Sequence, residues 1–110
     1  MSLTEARFHD LVDAVQQAVE DIFDDCDLDL DLENSGGVLT VRFENGTQLI
    51  FSRQAPIRQL WLAARSGGFH FDYDQASDRW ICDSSDEQLG EMLERITLEQ
   101  SGESIEFDEL

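Results

Sequence analysis

One hundred and ten residues suffice for one hydrophobic core and not for two, so the chain reads as a single domain spanning 1–110 and a multidomain enzyme is excluded. Hydrophobic residues make up 41% and aromatics 9%, enough to bury a core and unlike a disordered sequence. Twenty-five Asp and Glu face seven basic residues, all Arg, and the resulting charge of −18 excludes a nucleic acid backbone or an anionic membrane surface as partner; cations and basic protein surfaces remain.

Ser2 and Glu5 have the spacing of a capping box, and no Gly or Pro follows until after Cys26, which predicts a long first helix. At about 100° per residue, Phe8, Leu11, Val12, Val15, Val19, Ile22 and Phe23 share one arc, opposite Asp10, Asp13, Gln17, Glu20, Asp21, Asp24 and Asp25. From Asp27 the period becomes two, with Leu28, Leu30 and Leu32 alternating with acids as in a strand with one buried face. Asn34 to Gly37 is a turn. Val38 to Phe43 and Gln48 to Arg53 form a hairpin in which Asn45-Gly46 supplies positive φ angles. Pro56 interrupts the ladder before a fourth strand from Ile57 to Ala63, and Ser66-Gly67-Gly68 turns into a fifth from Phe69 to Tyr73. Arg79 to Cys82 is a sixth. A second capping box, Ser84 to Glu87, opens a helix with the stripe Leu89, Met92, Leu93 and Ile96, ended by Gly102. The acidic tail, 103–110, carries Ile105 and Phe107 and either packs an edge or frays.

Helix, six strands and helix with short links predict an α+β sandwich in which both helices cover one face of an antiparallel six-stranded sheet. Alternation along Gln59-Leu60-Trp61-Leu62 then sends the two leucines into the core and Trp61 outward, where an aromatic serves as an interface anchor. His70 falls on the same outward set as Asp72, and His9 lies toward the acidic side of the first helix; neither is specific. Cys26 and Cys82 belong to no zinc or redox pattern and read as reduced thiols of a cytoplasmic protein. No basic leader followed by an apolar run and no membrane-spanning stretch occurs.

The acids concentrate near the amino terminus. Residues 1–33 hold eleven acids and one base, over half of the net charge in under a third of the chain. Like charges at i,i+4, such as Glu20 with Asp24 and Asp21 with Asp25, repel, and acids at a helix C-terminus oppose its dipole. A cluster so unfavourable locally implies a use. Oxygen donors suit hard cations. Asp27, Asp29 and Asp31 imitate the start of an EF-hand, but Leu32 stands where that loop needs Gly and Val38 where it needs Glu. The cluster therefore reads as a weak cation site and a docking face for a basic partner. No G-x-S-x-G, P-loop or G-x-G-x-x-G offers a catalytic foothold.

Across nearly its whole length the sequence resembles the bacterial frataxins, the CyaY-type family. The resemblance rests on Asn34-Ser35-Gly36-Gly37-Val38-Leu39-Thr40, Phe43-Glu44-Asn45-Gly46, Arg53-Gln54-Ala55-Pro56, Gln59-Leu60-Trp61-Leu62-Ala63, Gly67-Gly68-Phe69-His70-Phe71-Asp72 and Trp80-Ile81-Cys82-Asp83. It implies an iron-binding acidic ridge, carried here by Glu20, Asp21, Asp24, Asp25, Asp29, Asp31 and Glu33, that holds Fe(II) or Fe(III) weakly. It also implies a monomer that acts in iron-sulfur cluster assembly, as regulator of the cysteine desulfurase complex or as iron supplier. The partners implied are the desulfurase and the iron-sulfur scaffold protein, met through Glu20, Asp21, Asp24, Asp25 and Trp61. Two positions depart from the relatives: Ser52 stands where many carry Asn, and His70 where eukaryotic members have Arg. The alternative function is a ferroxidase that oxidises Fe(II) at the ridge. A third reading, an acidic mimic of nucleic acid, fits the charge but neither the exposed Trp nor these motifs.

Overall fold

The computed structural model describes residues 3–107 and 110. The first helix, α1, spans Glu5–Asp24, and its N-cap is Thr4, whose hydroxyl accepts a hydrogen bond from the Arg7 backbone N–H at 3.2 Å. The expected cap, Ser2, lies outside the described residues. α1 ends two residues before Cys26, with Asp25 as C-cap. The expected first strand is shorter than the alternation implies: β1 is Leu30–Ser35, preceded by a bend over 26–28. β2, Val38–Phe43, begins its pairing with β1 at Leu30↔Phe43, so residues before Leu30 have no ladder partner.

The remaining strands are β3 Gln48–Gln54, β4 Gln59–Ala64, β5 Gly67–Asp74 and β6 Arg79–Cys82, and the sheet is antiparallel throughout in the order β1-β2-β3-β4-β5-β6. In the β2–β3 turn only Gly46 has positive φ, at 89°. Asn45 contributes differently: its side-chain oxygen accepts from the Thr47 N–H at 3.0 Å and from the Thr47 hydroxyl at 2.8 Å. Pro56 sits in a 3-10 turn, Ala55–Ile57, and Arg58 follows in the left-handed region, so β4 starts two residues later than the alternation suggested. The second helix, α2, runs Leu89–Ser101, and the Ser84–Glu87 capping box does not form. Those residues instead turn back onto the end of β6: the Cys82 N–H donates to the Glu87 carbonyl at 2.8 Å, and Ile81 bridges Gln88. Gly102, at φ 78°, closes α2 with its N–H on the Leu98 carbonyl.

Both helices lie on one face of the sheet. Phe8, Val12, Val19 and Phe23 of α1 and Leu89, Met92, Leu93 and Ile96 of α2 are buried with Leu39, Val41, Leu49, Phe51, Leu60, Leu62 and Phe71. Two buried glutamines tie the layers together. Gln16 of α1 donates to the Gly37 carbonyl at 3.0 Å and the Phe51 carbonyl at 3.2 Å, and accepts from Arg53 at 3.1 Å. Gln100 of α2 donates to Thr47 and accepts from the Arg65 N–H at 3.0 Å, joining the β2–β3 and β4–β5 turns. The tail packs across the helices, not along a sheet edge. Phe107 is 1% exposed and meets Phe23 edge to face at 5.4 Å. Its carbonyl oxygen would stand 2.5 Å from a Cβ at position 90, so Gly90 is what lets the tail approach α2.

Candidate functional site

The C-terminal end of α1 carries Glu20, Asp21 and Asp24, with Asp25 as its cap, because Val19 and Phe23 occupy the core-facing positions there. Glu20 is half-buried and the other three are exposed. Asp21 accepts from the Gln17 amide at 3.0 Å. Asp29 precedes β1, while Asp31 and Glu33 alternate with Leu30 and Leu32 along it. Because Leu30 and Leu32 pair with the buried Phe43 and Val41, Asp31 and Glu33 project to the outer sheet face, opposite Arg42 and Thr40.

The seven carboxylates thus form a rim around one end of the molecule and do not converge on a point. Asp25 lines a groove of about 700 Å³ with Cys26, Asp27, Glu103 and Glu106, whereas Asp29 faces a separate cleft of about 420 Å³ with Glu44, Asn45 and Ser101. Among the described residues no three His, Cys, Asp or Glu side chains are grouped so as to hold a metal ion, and none of the seven is in an ion pair. The rim suits loosely held, partly hydrated cations or a basic surface. Asp27, Glu44, Glu103 and Glu106 extend the acidic end beyond the expected set. Asp27 was visible in the alternation, but the tail glutamates reach the groove only through tertiary packing.

A second region occupies the outer face at the other side of the sheet. Leu60 and Leu62 are buried, and Trp61 between them projects outward and is half-covered. Its ring stacks on His70, opposite it on β5, with centroids 4.2 Å apart and planes 15° apart. The indole N–H donates to Gln59 Oε1 at 3.1 Å, while Gln59 Nε2 donates to Asp72 Oδ1 and Asp83 Oδ2, both at 3.2 Å. Asp83 also lies 3.9 Å from His70 Nδ1. Ser52 is level with Trp61 on β3. The aromatic outlook of Trp61 was legible in the sequence; the carboxylate pair held by Gln59 was not, because Gln59 and Asp83 are far apart along the chain.

His9, Arg53 and the cysteines make contacts within the fold. His9 is half-buried; its Nδ1 lies 3.0 Å from Arg53 Nη1 and its Nε2 3.7 Å from Glu5, and Arg53 also pairs with Asp13 at 2.8 Å. Both cysteines are free, Cys26 donating to the Phe23 carbonyl at 3.0 Å. Burial pushes the Cys82 thiol up, but hydrogen bonds from the side chains and backbone of Ser84 and Ser85 outweigh it and hold the group below its ordinary value.

Two helices on one face of an antiparallel six-stranded sheet define an α+β sandwich with an acidic rim and an aromatic-acidic outer sheet face. Residues 1–103 match the frataxin-like domain, and the chain belongs to that family. It is 84% identical over 110 residues to the iron-sulfur cluster assembly protein CyaY of Ectopseudomonas mendocina and 74% identical to that of Azotobacter vinelandii, covering all of both chains in each case. Among solved structures, the frataxin from Psychromonas ingrahamii superposes with a TM-score of 0.88 at 34% identity, covering 96% of this chain and 98% of that one.

Proposed function

We propose that the chain is a non-enzymatic, iron-binding component of iron-sulfur cluster assembly that docks on the cysteine desulfurase and scaffold complex and regulates it or supplies its iron. The observation that carries this reading is the rim of seven carboxylates at the end of α1 and along β1, without an ion-pair partner among the described residues, in a chain whose relatives are named iron-sulfur cluster assembly proteins. Iron is cargo here. Spread, solvated oxygen donors bind it weakly and release it readily, while the same charge steers the molecule to a basic surface. Work in the cytoplasm, where the relatives named for cluster assembly suggest it, is part of this reading.

The test is the association rate with the desulfurase, measured across a salt series for the wild type and for Asp24→Lys with Asp25→Lys. Exposed charges are screened over about 8–10 Å at physiological ionic strength, so association should slow with salt and slow further on charge reversal. Rates unchanged by both would remove the rim from the interface. An anaerobic Fe(II) titration followed by admission of air separates the ferroxidase alternative: multiple-turnover, saturable oxidation would favour it, and stoichiometric binding without turnover favours the present reading.

A further inference from the structure

The outer face at the β4–β6 side carries a site that the acidic rim does not include. Register alone lines up Ser52, Trp61 and His70 on β3, β4 and β5, and the Asp83 N–H donates to the His70 carbonyl at 2.9 Å, placing Asp83 beside His70 just past β6. One step along the strands, Gln59 is opposite Asp72. Gln59 is the hub of this array. Its single amide nitrogen holds both the Asp72 and the Asp83 carboxylate, and its oxygen fixes the edge of the Trp61 ring.

The arrangement has a definite chemical complement. Two carboxylates share one neutral donor and so keep most of their acceptor capacity for an outside group. The side chains of His70 and Asp83 remain 44% and 38% exposed, so the array is open to solvent. Beside the carboxylates stands an aromatic wall, the Trp61–His70 stack. A planar fork of N–H donors that also stacks on π-faces satisfies both features, and that is a guanidinium; a Lys ammonium, a compact and strongly hydrated point charge, satisfies only the charge. A chelated metal ion is not favoured, since no three ligating side chains among the described residues are grouped to hold one. The nearby cation on β6, Arg79, pairs in register with Asp74, one step farther along the same face, and the surroundings stay net acidic through Asp72, Asp74, Asp83 and Asp86.

We propose that Gln59, Trp61, His70, Asp72 and Asp83 form a receptor for an arginine side chain of a protein partner. This deepens the docking reading above and rests on it. Since β1 and β6 are the two edges of the sheet, the protein then presents two anionic docking surfaces on opposite sides: a diffuse rim that steers, and a compact site that selects Arg over Lys.

The test is an NMR titration of the isotopically labelled protein with N-acetyl-arginine amide and, separately, N-acetyl-lysine amide at matched ionic strength, following the Trp61 indole N–H and the Gln59 side-chain amide. The arginine derivative should shift both signals saturably and bind several-fold more tightly than the lysine derivative. Asp72→Asn with Asp83→Asn, isosteric and solvent-facing, should abolish the selective response while leaving the amide spectrum of the core unchanged. Asp21→Asn with Asp25→Asn on α1 should leave the response intact. Equal responses to the two derivatives, or an arginine response that survives the Asp72/Asp83 double variant, would overturn the proposal. In the assembled desulfurase-scaffold complex the same double variant should bind several-fold more weakly, and unchanged affinity would also overturn it. The titration contains no assembly protein, so its outcome is independent of whether the acidic rim docks on the desulfurase.

Discussion

The Trp61 indole and the His70 imidazole lie 4.2 Å apart with planes 15° from parallel, at a register position where β4 and β5 pair directly. Their separation is close to the distance between neighbouring strands, about 4.8 Å, so both rings stand up from the sheet and cover one another. The stack gives Trp61 a fixed orientation without placing it in the core, and contacts of this kind contribute about 0.5–1.5 kcal/mol.

Trp61→Ala should therefore lower the unfolding free energy by only about 1–2 kcal/mol, whereas Trp80→Ala should cost about 3–5 kcal/mol, because Trp80 is 4% exposed and packs on Phe8 and Tyr73. Urea titrations of the two variants measure the contrast. The same Trp61→Ala protein should bind the desulfurase-scaffold complex more weakly. Comparable losses of stability in the two variants would show that Trp61 acts as a core residue.

Asp21 and Asp25 are one helical turn apart at the C-terminal end of α1, where neither the like charge nor the helix dipole favours them. Replacing both by Asn should raise stability without metal by about 0.5–1 kcal/mol, and should diminish the stabilisation conferred by Fe(II). Anaerobic thermal melts with and without Fe(II) provide the readout. An unchanged iron response would place the bound metal elsewhere on the surface.

Gln16 is 2% exposed and serves the Gly37 and Phe51 carbonyls and the Arg53 guanidinium at once. Gln16→Leu removes this donor from the two carbonyls and one acceptor from Arg53, which keeps Asp13, and should cost about 1–3 kcal/mol. Its neighbour Gln17 is exposed and donates to Asp21, so Gln17→Leu should change stability by no more than about 0.5 kcal/mol. Chemical denaturation of both variants at constant salt decides the matter.

Tyr73 is the only tyrosine, so the phenolate absorbance of the native protein reports it directly. Partial burial raises its pKa, and the hydrogen bond to Asp78 at 3.2 Å with the charge of that carboxylate raises it further, against the opposing pull of Arg7 and Arg79. The folded value thus lies above the ordinary one near 10, which means the fold favours the neutral phenol. The associated stability is fully present below the unfolded pKa and is lost as pH rises through the folded value. Asp78→Asn should bring the spectrophotometric midpoint down toward the ordinary value, and a midpoint unmoved by that change would leave burial as the sole cause.

Much of this molecule follows from local patterns. The arc from Phe8 to Phe23, the alternation of β2 to β6 and the glycine-containing turns were enough to define two helices on one face of an antiparallel sheet, because a single apolar face per element leaves few ways to bury it. The outward direction of Trp61 follows from the same alternation. Element ends were less legible where tertiary contacts override propensity. β1 starts at Leu30 because β2 ends at Phe43, and α2 starts at Leu89 because Glu87 and Gln88 fold back onto the end of β6. The seven ridge acids were readable as a charged run, but their division between two grooves and the outer sheet face depends on the register of β1 with β2 and on the path of the tail. The hubs at Gln16, Gln59 and Gln100 left no trace in the sequence. A glutamine has no periodic signature, and each of these satisfies groups 13 to 53 residues away, which strand register brings together around Gln59 and the packing of helices on the sheet brings together around Gln16 and Gln100.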